Sequence, residues 1–256
     1  MTDSNPYISP VAELVDRRRD AGGGTLEDGI RGNYRLDLGE VMSKAWALTR
    51  GSKGTLVLAM ILFAAASLAA SKFLALLGLS GEAAMLRGEY ARGLGLALLG
   101  GIVAAPITAP LYAGIMIIGI KRAAGVDTGV RDLFGCFDRL VPLTITSLLM
   151  TLFVYVGLVM LVLPGLYLGM AFMAAPALVV DKGLGPWQAL EASRKALTHS
   201  WFTVFAVVMV GAIVAALSAL ALGIGLIWTL PWFILMLGVV YHTVFGYGAS
   251  PGQDGV

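Results

Sequence analysis

The chain has 256 residues, of which 58% are hydrophobic and 13% charged, with a net charge of +2 and a mean hydropathy of +0.83. A soluble domain carries about 25% charged residues, so half that value with charge-free runs of about twenty residues excludes a soluble globular protein. The near-zero net charge argues against a nucleic-acid partner, and Cys136, the only cysteine, leaves no intramolecular disulfide or CxxC zinc pattern.

Residues 1–36 read as a disordered cytoplasmic tail. Gly22-Gly23-Gly24 is a flexible break, and Asn5-Pro6 and Ser9-Pro10 are turn or extended signals. Val11, Leu14 and Val15 before Arg17-Arg18-Arg19 read as a solvated basic tail that sets orientation, or as one helical turn at the lipid surface. Eight Lys or Arg in residues 1–54 fit no cleavable signal peptide, so the first span is expected to serve as an uncleaved insertion signal.

Residues 37–50 form the first expected amphipathic helix. Asp37 and Glu40 have capping-box spacing. Leu38, Val41, Met42, Ala45, Trp46 and Thr49 share one face, and Gly51 and Gly54 break the helix. The first span follows at 55–71, with Lys72 near its far edge, able to snorkel outward. Residues 80–92 read as a polar loop. The second span, 93–120, contains Pro106 and Pro110, and each removes one backbone hydrogen bond, which predicts a kink.

The stretch 128–165 carries the organising pattern. Val130, Leu133, Phe134, Phe137, Leu140 and Val141 stack on one helix face, and Arg131, Asp132, Asp138 and Arg139 fall on the other. Pro142 is expected to end this second amphipathic helix and begin the third span. That span, 143–163, has no charge and suffices to cross a core of about 30 Å. Leu163-Pro164-Gly165 reads as a tight turn. The fourth span, 166–180, is short, with small pairs Gly165/Gly169 and Ala171/Ala175 for close helix contact and Pro176 kinking its end. The third amphipathic helix, 185–200, begins with Pro186 and carries Trp187, Leu190, Ala196 and Leu197 toward one side. Spans five and six occupy 201–222 and 226–245.

The whole is an all-α, polytopic bundle of six transmembrane helices, the membrane domain covering 37–247, with a short cytoplasmic tail at 248–256. Amphipathic helix then span recurs three times, at 37, 128 and 185. Six spans put both termini on one side. Fifteen of the 18 Lys and Arg lie on that side, which makes it the cytoplasm by the positive-inside rule. Trp46, Trp187 and Trp201, with Phe134 and Phe137, are then interfacial anchors on the cytoplasmic face, and Trp228 and Trp232 belong to the outer belt.

Chemistry is sparse. His199 and His242 lack metal-ligand spacing, and no nucleophile–base set, paired carboxylates or phosphate loop stands out. No metal and no cofactor is implied, and the chain reads as non-enzymatic. The spans hold no Asp, Glu or Arg at mid-depth, where an ion-coupled transporter usually keeps one. A milder polar seam remains: Thr144, Ser147, Thr151 and Tyr155 on the third span, Thr108 and Tyr112 on the second, and Tyr167 on the fourth. It reads either as interhelical hydrogen bonding or as a polar substrate path.

Three stretches carry a family likeness: LDLGEVMSKAWALTRGSKG at 36–54, GVDTGVRDLFGCFDRLVPL at 125–143 and LGMAFMAAPALVVDKGLGPWQALEASRKALTHSW at 168–201. In these, and in Asn5-Pro6-Tyr7, the chain resembles a superfamily of six-span bacterial inner-membrane proteins. It includes YciC-like proteins and the membrane domain attached to some glycerophosphoryl diester phosphodiesterases. The resemblance implies the bacterial inner membrane and no catalytic residues. The expected role is envelope or lipid homeostasis or membrane scaffolding, with transport of a small or lipidic substrate as the alternative. The expected partners are the lipid bilayer and other membrane proteins or further copies of the chain.

Overall fold

The computed structural model describes residues 23–50, 53–220, 223 and 225–248, and every regular element among them is helical. Among the described residues, six helical segments are long and apolar enough to cross a membrane. The protein is an all-α polytopic membrane bundle.

The expected tail is ordered from Gly23 onward, so the folded unit begins before the boundary at 37; residues 1–22 lie outside the described residues. Helix α1, Leu26–Arg31, starts where the Thr25 hydroxyl accepts the Asp28 N–H at 3.1 Å and stops at Gly32, whose φ of 77° favours a residue without Cβ. It is strapped down at several points. The Gly24 N–H donates to the His242 carbonyl at 3.0 Å, His199 Nε2 lies 3.2 Å from the Ile30 carbonyl, and the Tyr34 hydroxyl donates to the Ala196 carbonyl at 2.6 Å. Burial pushes the Tyr34 phenol above its ordinary range, so it remains a donor.

Helix α2, Leu38–Thr49, is capped by Asp37, whose carboxylate accepts the Glu40 N–H at 2.9 Å. Val41, Ala45 and Thr49 are buried, while Glu40 and Lys44 pair on the exposed face at 2.6 Å. The first span, α3 (Lys53–Leu76), is one continuous helix that takes in the Lys72 region. It buries Leu56 and Ala59 and leaves most of its surface outward. The short α4, Glu82–Leu86, lies within the expected polar loop.

The second span, α5 (Tyr90–Ala123), is the axis of the bundle and runs unbroken through Pro106 and Pro110. Its second half is buried almost continuously from Ala109 to Ile120, and its first half faces outward. The core therefore lies toward the Lys121 end. The sixth span, α12 (Leu226–Phe245), packs along this half so closely that a Cβ on Gly238 would collide with the Gly119 backbone.

The second amphipathic segment departs from expectation. It is one α turn, α6 (Arg131–Phe134), followed by a 3₁₀ turn over Gly135–Arg139. The third span, α7, begins at Leu140 and extends to Met160; Pro142 sits inside its first turn, as expected, but the segment before it has already ended at Arg139. Leu133 and Cys136 are fully buried, with Gly114 of α5 touching the Leu133 backbone, whereas Phe134 is 51% exposed and Val141 64%. Of the residues expected on one apolar face, the protein itself buries Leu133 and leaves Phe134 and Val141 outward.

The turn between spans three and four is the single extended residue Leu161, and Pro164 lies in the first turn of the next helix, α8 (Val162–Ala171). Gly157 and Gly165 bring α7 and α8 together, their closest atoms allowing no Cβ, but Gly169 makes no such contact. The fourth span is interrupted at 172–174 and resumes as α9, Ala175–Asp181, with Pro176 in its first turn. The kink assigned to Pro176 is thus a break before it. Helix α10, Pro186–His199, runs beside α9 and buries Ala189, Leu190, Ala196 and Leu197 within the protein. The fifth span, α11 (Trp201–Leu220), packs on α12 and α2.

One aromatic expectation fails. Trp46 and Trp232 meet edge to face with ring centroids 6.4 Å apart, and Trp232 Nε1 donates to the Met42 carbonyl at 3.3 Å. Two side chains in contact cannot mark opposite surfaces of a core about 30 Å thick. Trp46 and Trp232 therefore cannot belong to opposite belts, because α12 passes directly beside α2.

Candidate functional site: a hydroxyl-walled chamber between the spans

A chamber of about 500 Å³ lies among α3, α5, α7, α8 and α9. Thr108 and Tyr112 of α5 form one wall, and Ser147, Thr151 and Tyr155 of α7 the other. Phe63, Met150, Val154 and Leu158 supply apolar surface, and Gly169 and Pro176 complete the lining. The helical spacing of three or four residues puts the α7 hydroxyls on one face, and the contact between α5 and α7 turns that face toward α5. Gly169 borders this space, with nothing within 4 Å of where a Cβ would stand.

Five of the seven seam residues thus meet around one space, and two stand elsewhere. The Thr144 hydroxyl bonds back to the Leu140 carbonyl at 2.8 Å. Tyr167 hydrogen-bonds the Thr198 hydroxyl at 2.7 Å and lies against Trp201, with centroids 6.4 Å apart. Within the chamber Thr108 bonds its own helix, to the Ala104 carbonyl at 3.1 Å. Such a wall can accept and donate hydrogen bonds but presents no Asp, Glu, Lys, Arg or His side chain.

A second chamber of about 320 Å³ lies on the other side of the α3–α5 contact, against α12. Met60, Ile115, Met116, Phe233 and Leu237 line it, and it shares Phe63 and Tyr112 with the first.

The interfacial anchors divide by environment. Phe134 stacks on Phe137 at 6.4 Å, Trp187 meets Phe153 edge-on at 5.9 Å, and Trp201 stacks on Phe205 at 5.2 Å. Trp46 and Trp187 remain more than half exposed. They are ring contacts of the bundle as well as candidate membrane contacts.

A polar group that the sequence reading passed over sits where the fourth span ends. The Asp181 carboxylate accepts the Tyr241 hydroxyl at 2.9 Å and the Gly248 N–H at 3.0 Å. Lys182 Nζ lies 3.2 Å from the same carboxylate without hydrogen-bond alignment, and both charged side chains are buried, at 2% and 0% exposure. Nearby, Lys121 pairs with Asp132 at 2.5 Å. In the sequence these look like ordinary helix-end charges. The adjacency of two opposite charges at a span end was the only available signal.

Comparison with protein-family models, with curated proteins and with solved structures returns no match.

Proposed function

We propose that this chain is a bacterial inner-membrane protein of lipid or envelope homeostasis that acts without catalysis, by holding a lipid within its helical bundle. The observation that carries this reading is the chamber between α5 and α7: hydroxyls at membrane depth, apolar surface beside them, and no charge. Such a site suits an amphiphile entering from the bilayer. The likeness to YciC-like proteins points the same way, and the asymmetry of Lys and Arg supports cytoplasmic termini. The sparsely buried α3 leaves an apolar surface for bilayer lipid, a second copy or another membrane protein.

The same hydroxyls support a second reading, a path for a small hydrophilic solute. Cysteines at Ser147 and Thr151, in a Cys136→Ala background, separate the two. Lipid holding predicts protection of both from a small hydrophilic thiol reagent in native membranes, and modification by an apolar maleimide that partitions into the bilayer. Modification by the hydrophilic reagent at the rate of an exposed loop cysteine would replace lipid holding with transport.

A further inference from the structure

We propose that the lipid is a neutral, two-tailed glycerolipid of the diacylglycerol class. This deepens the lipid-holding reading and rests on it. Membrane-helix hydroxyls ordinarily bond back to their own backbone, and here Thr146 does so to Pro142 at 2.7 Å, Ser218 to Val214 at 2.7 Å and Thr229 to Gly225 at 3.2 Å. The hydroxyls of Tyr112, Ser147, Thr151 and Tyr155 have no hydrogen-bond partner among the described residues, and all four line the larger chamber. Hydrocarbon tails cannot satisfy them. A ligand with ester and hydroxyl oxygens can.

The ligand's charge follows from the lining. A charged headgroup drawn among these residues would lose its water and meet no counter-charge, the costly case in a membrane. A neutral glycerol carrying two esters and one free hydroxyl avoids that cost and matches the four hydroxyls.

The number of tails follows from the two chambers. They share Phe63 and Tyr112 as lining residues, one chamber on each side of that pair, and the smaller one is apolar apart from Tyr112. A molecule with a polar node beside Tyr112 and an apolar arm on each side occupies both. The larger chamber takes one tail and the ester-bearing node, and the smaller takes the second tail.

The test is native mass spectrometry of the full-length protein in mild detergent. It is offered equimolar dioleoylglycerol, dioleoyl phosphatidic acid and monooleoylglycerol. Dioleoylglycerol should be retained at least tenfold over each of the others. Tyr112→Phe and Ser147→Ala should each lower its retention about threefold, the effect of one membrane hydrogen bond. Their lipid-stripped melting temperatures should equal that of the unmodified protein, since neither hydroxyl has a protein partner to lose. Ala64→Leu, which fills the smaller chamber, should reduce dioleoylglycerol and leave monooleoylglycerol unchanged. Equal retention of the acidic or the single-tailed lipid, or indifference to hydroxyl removal, overturns the proposal. If the chamber cysteines are protected from hydrophilic reagent and dioleoylglycerol is not preferred, this assignment fails and lipid holding stands. If the hydrophilic reagent reaches them, both fail.

Discussion

The Ser193 hydroxyl closes the gap in the fourth span from a different helix: it donates to the Ala171 carbonyl at 2.7 Å and accepts the Ala174 N–H at 3.3 Å. Helix α8 leaves unpaired carbonyls where it stops, and α9 leaves unpaired N–H groups where it starts. One buried side chain answers both needs. Ser193→Ala should therefore lower stability by about 1–3 kcal/mol, the cost of leaving buried polar groups unsatisfied. Ser218→Ala, which removes only a bond within its own helix, should cost less than about 1 kcal/mol. Thermal melts in detergent read both, and equal shifts would contradict the bridging role.

The Asp181–Lys182 pair makes a sharper contrast. Asp181→Ala leaves a buried ammonium with no counter-charge and frees the Tyr241 hydroxyl, so the expected loss is about 3–5 kcal/mol. Glu40→Ala breaks a pair that is more than half exposed and should cost under about 1 kcal/mol. Asp181→Ala with Lys182→Met should recover part of the loss, because a neutral pair requires no solvation.

Within the second amphipathic segment, Leu133 is fully buried and Phe134 half exposed. Leu133→Ala should cost about 2–5 kcal/mol, as a core truncation does. Phe134→Ala should cost less in detergent melts, despite removing the larger side chain. The reverse order would mean that the 3₁₀ turn packs with Phe134 inward.

Topology is checked in intact cells in the Cys136→Ala background. A cysteine at Arg87, in the loop between spans one and two, should react with an impermeant thiol reagent, and one at Lys195 on α10 should not. Labelling of Lys195→Cys would reverse the orientation deduced from the distribution of Lys and Arg.

Charge-free runs and interrupting Gly, Pro and charge clusters made the six candidate spans legible, because a bilayer demands length and apolarity from each helix separately. The α7 hydroxyl stripe was legible for a similar local reason, its helical spacing. What escaped depended on distant partners. Nothing near residue 172 announces a break that Ser193 satisfies from twenty residues away. Nothing near Trp232 states that α2 will lie beside it. The pattern 130–141 fitted a regular helix because periodicity cannot distinguish an α turn followed by 3₁₀ from an uninterrupted helix. Burial of Asp181 and Lys182 required knowing where the sixth span and Gly248 come to rest.

The backbone contact between Gly119 and Gly238 also bears on biogenesis. The second span meets its principal neighbour only when the last helix leaves the ribosome. Until then the Ala109-to-Ile120 half of α5, shaped for another protein surface, must wait in lipid or against an insertion factor. A substitution that enlarges Gly238 would thus act late in synthesis, after five hydrophobic segments have already been placed. Its product would be membrane-inserted yet unassembled, a substrate for membrane quality-control proteolysis and not for cytosolic aggregation.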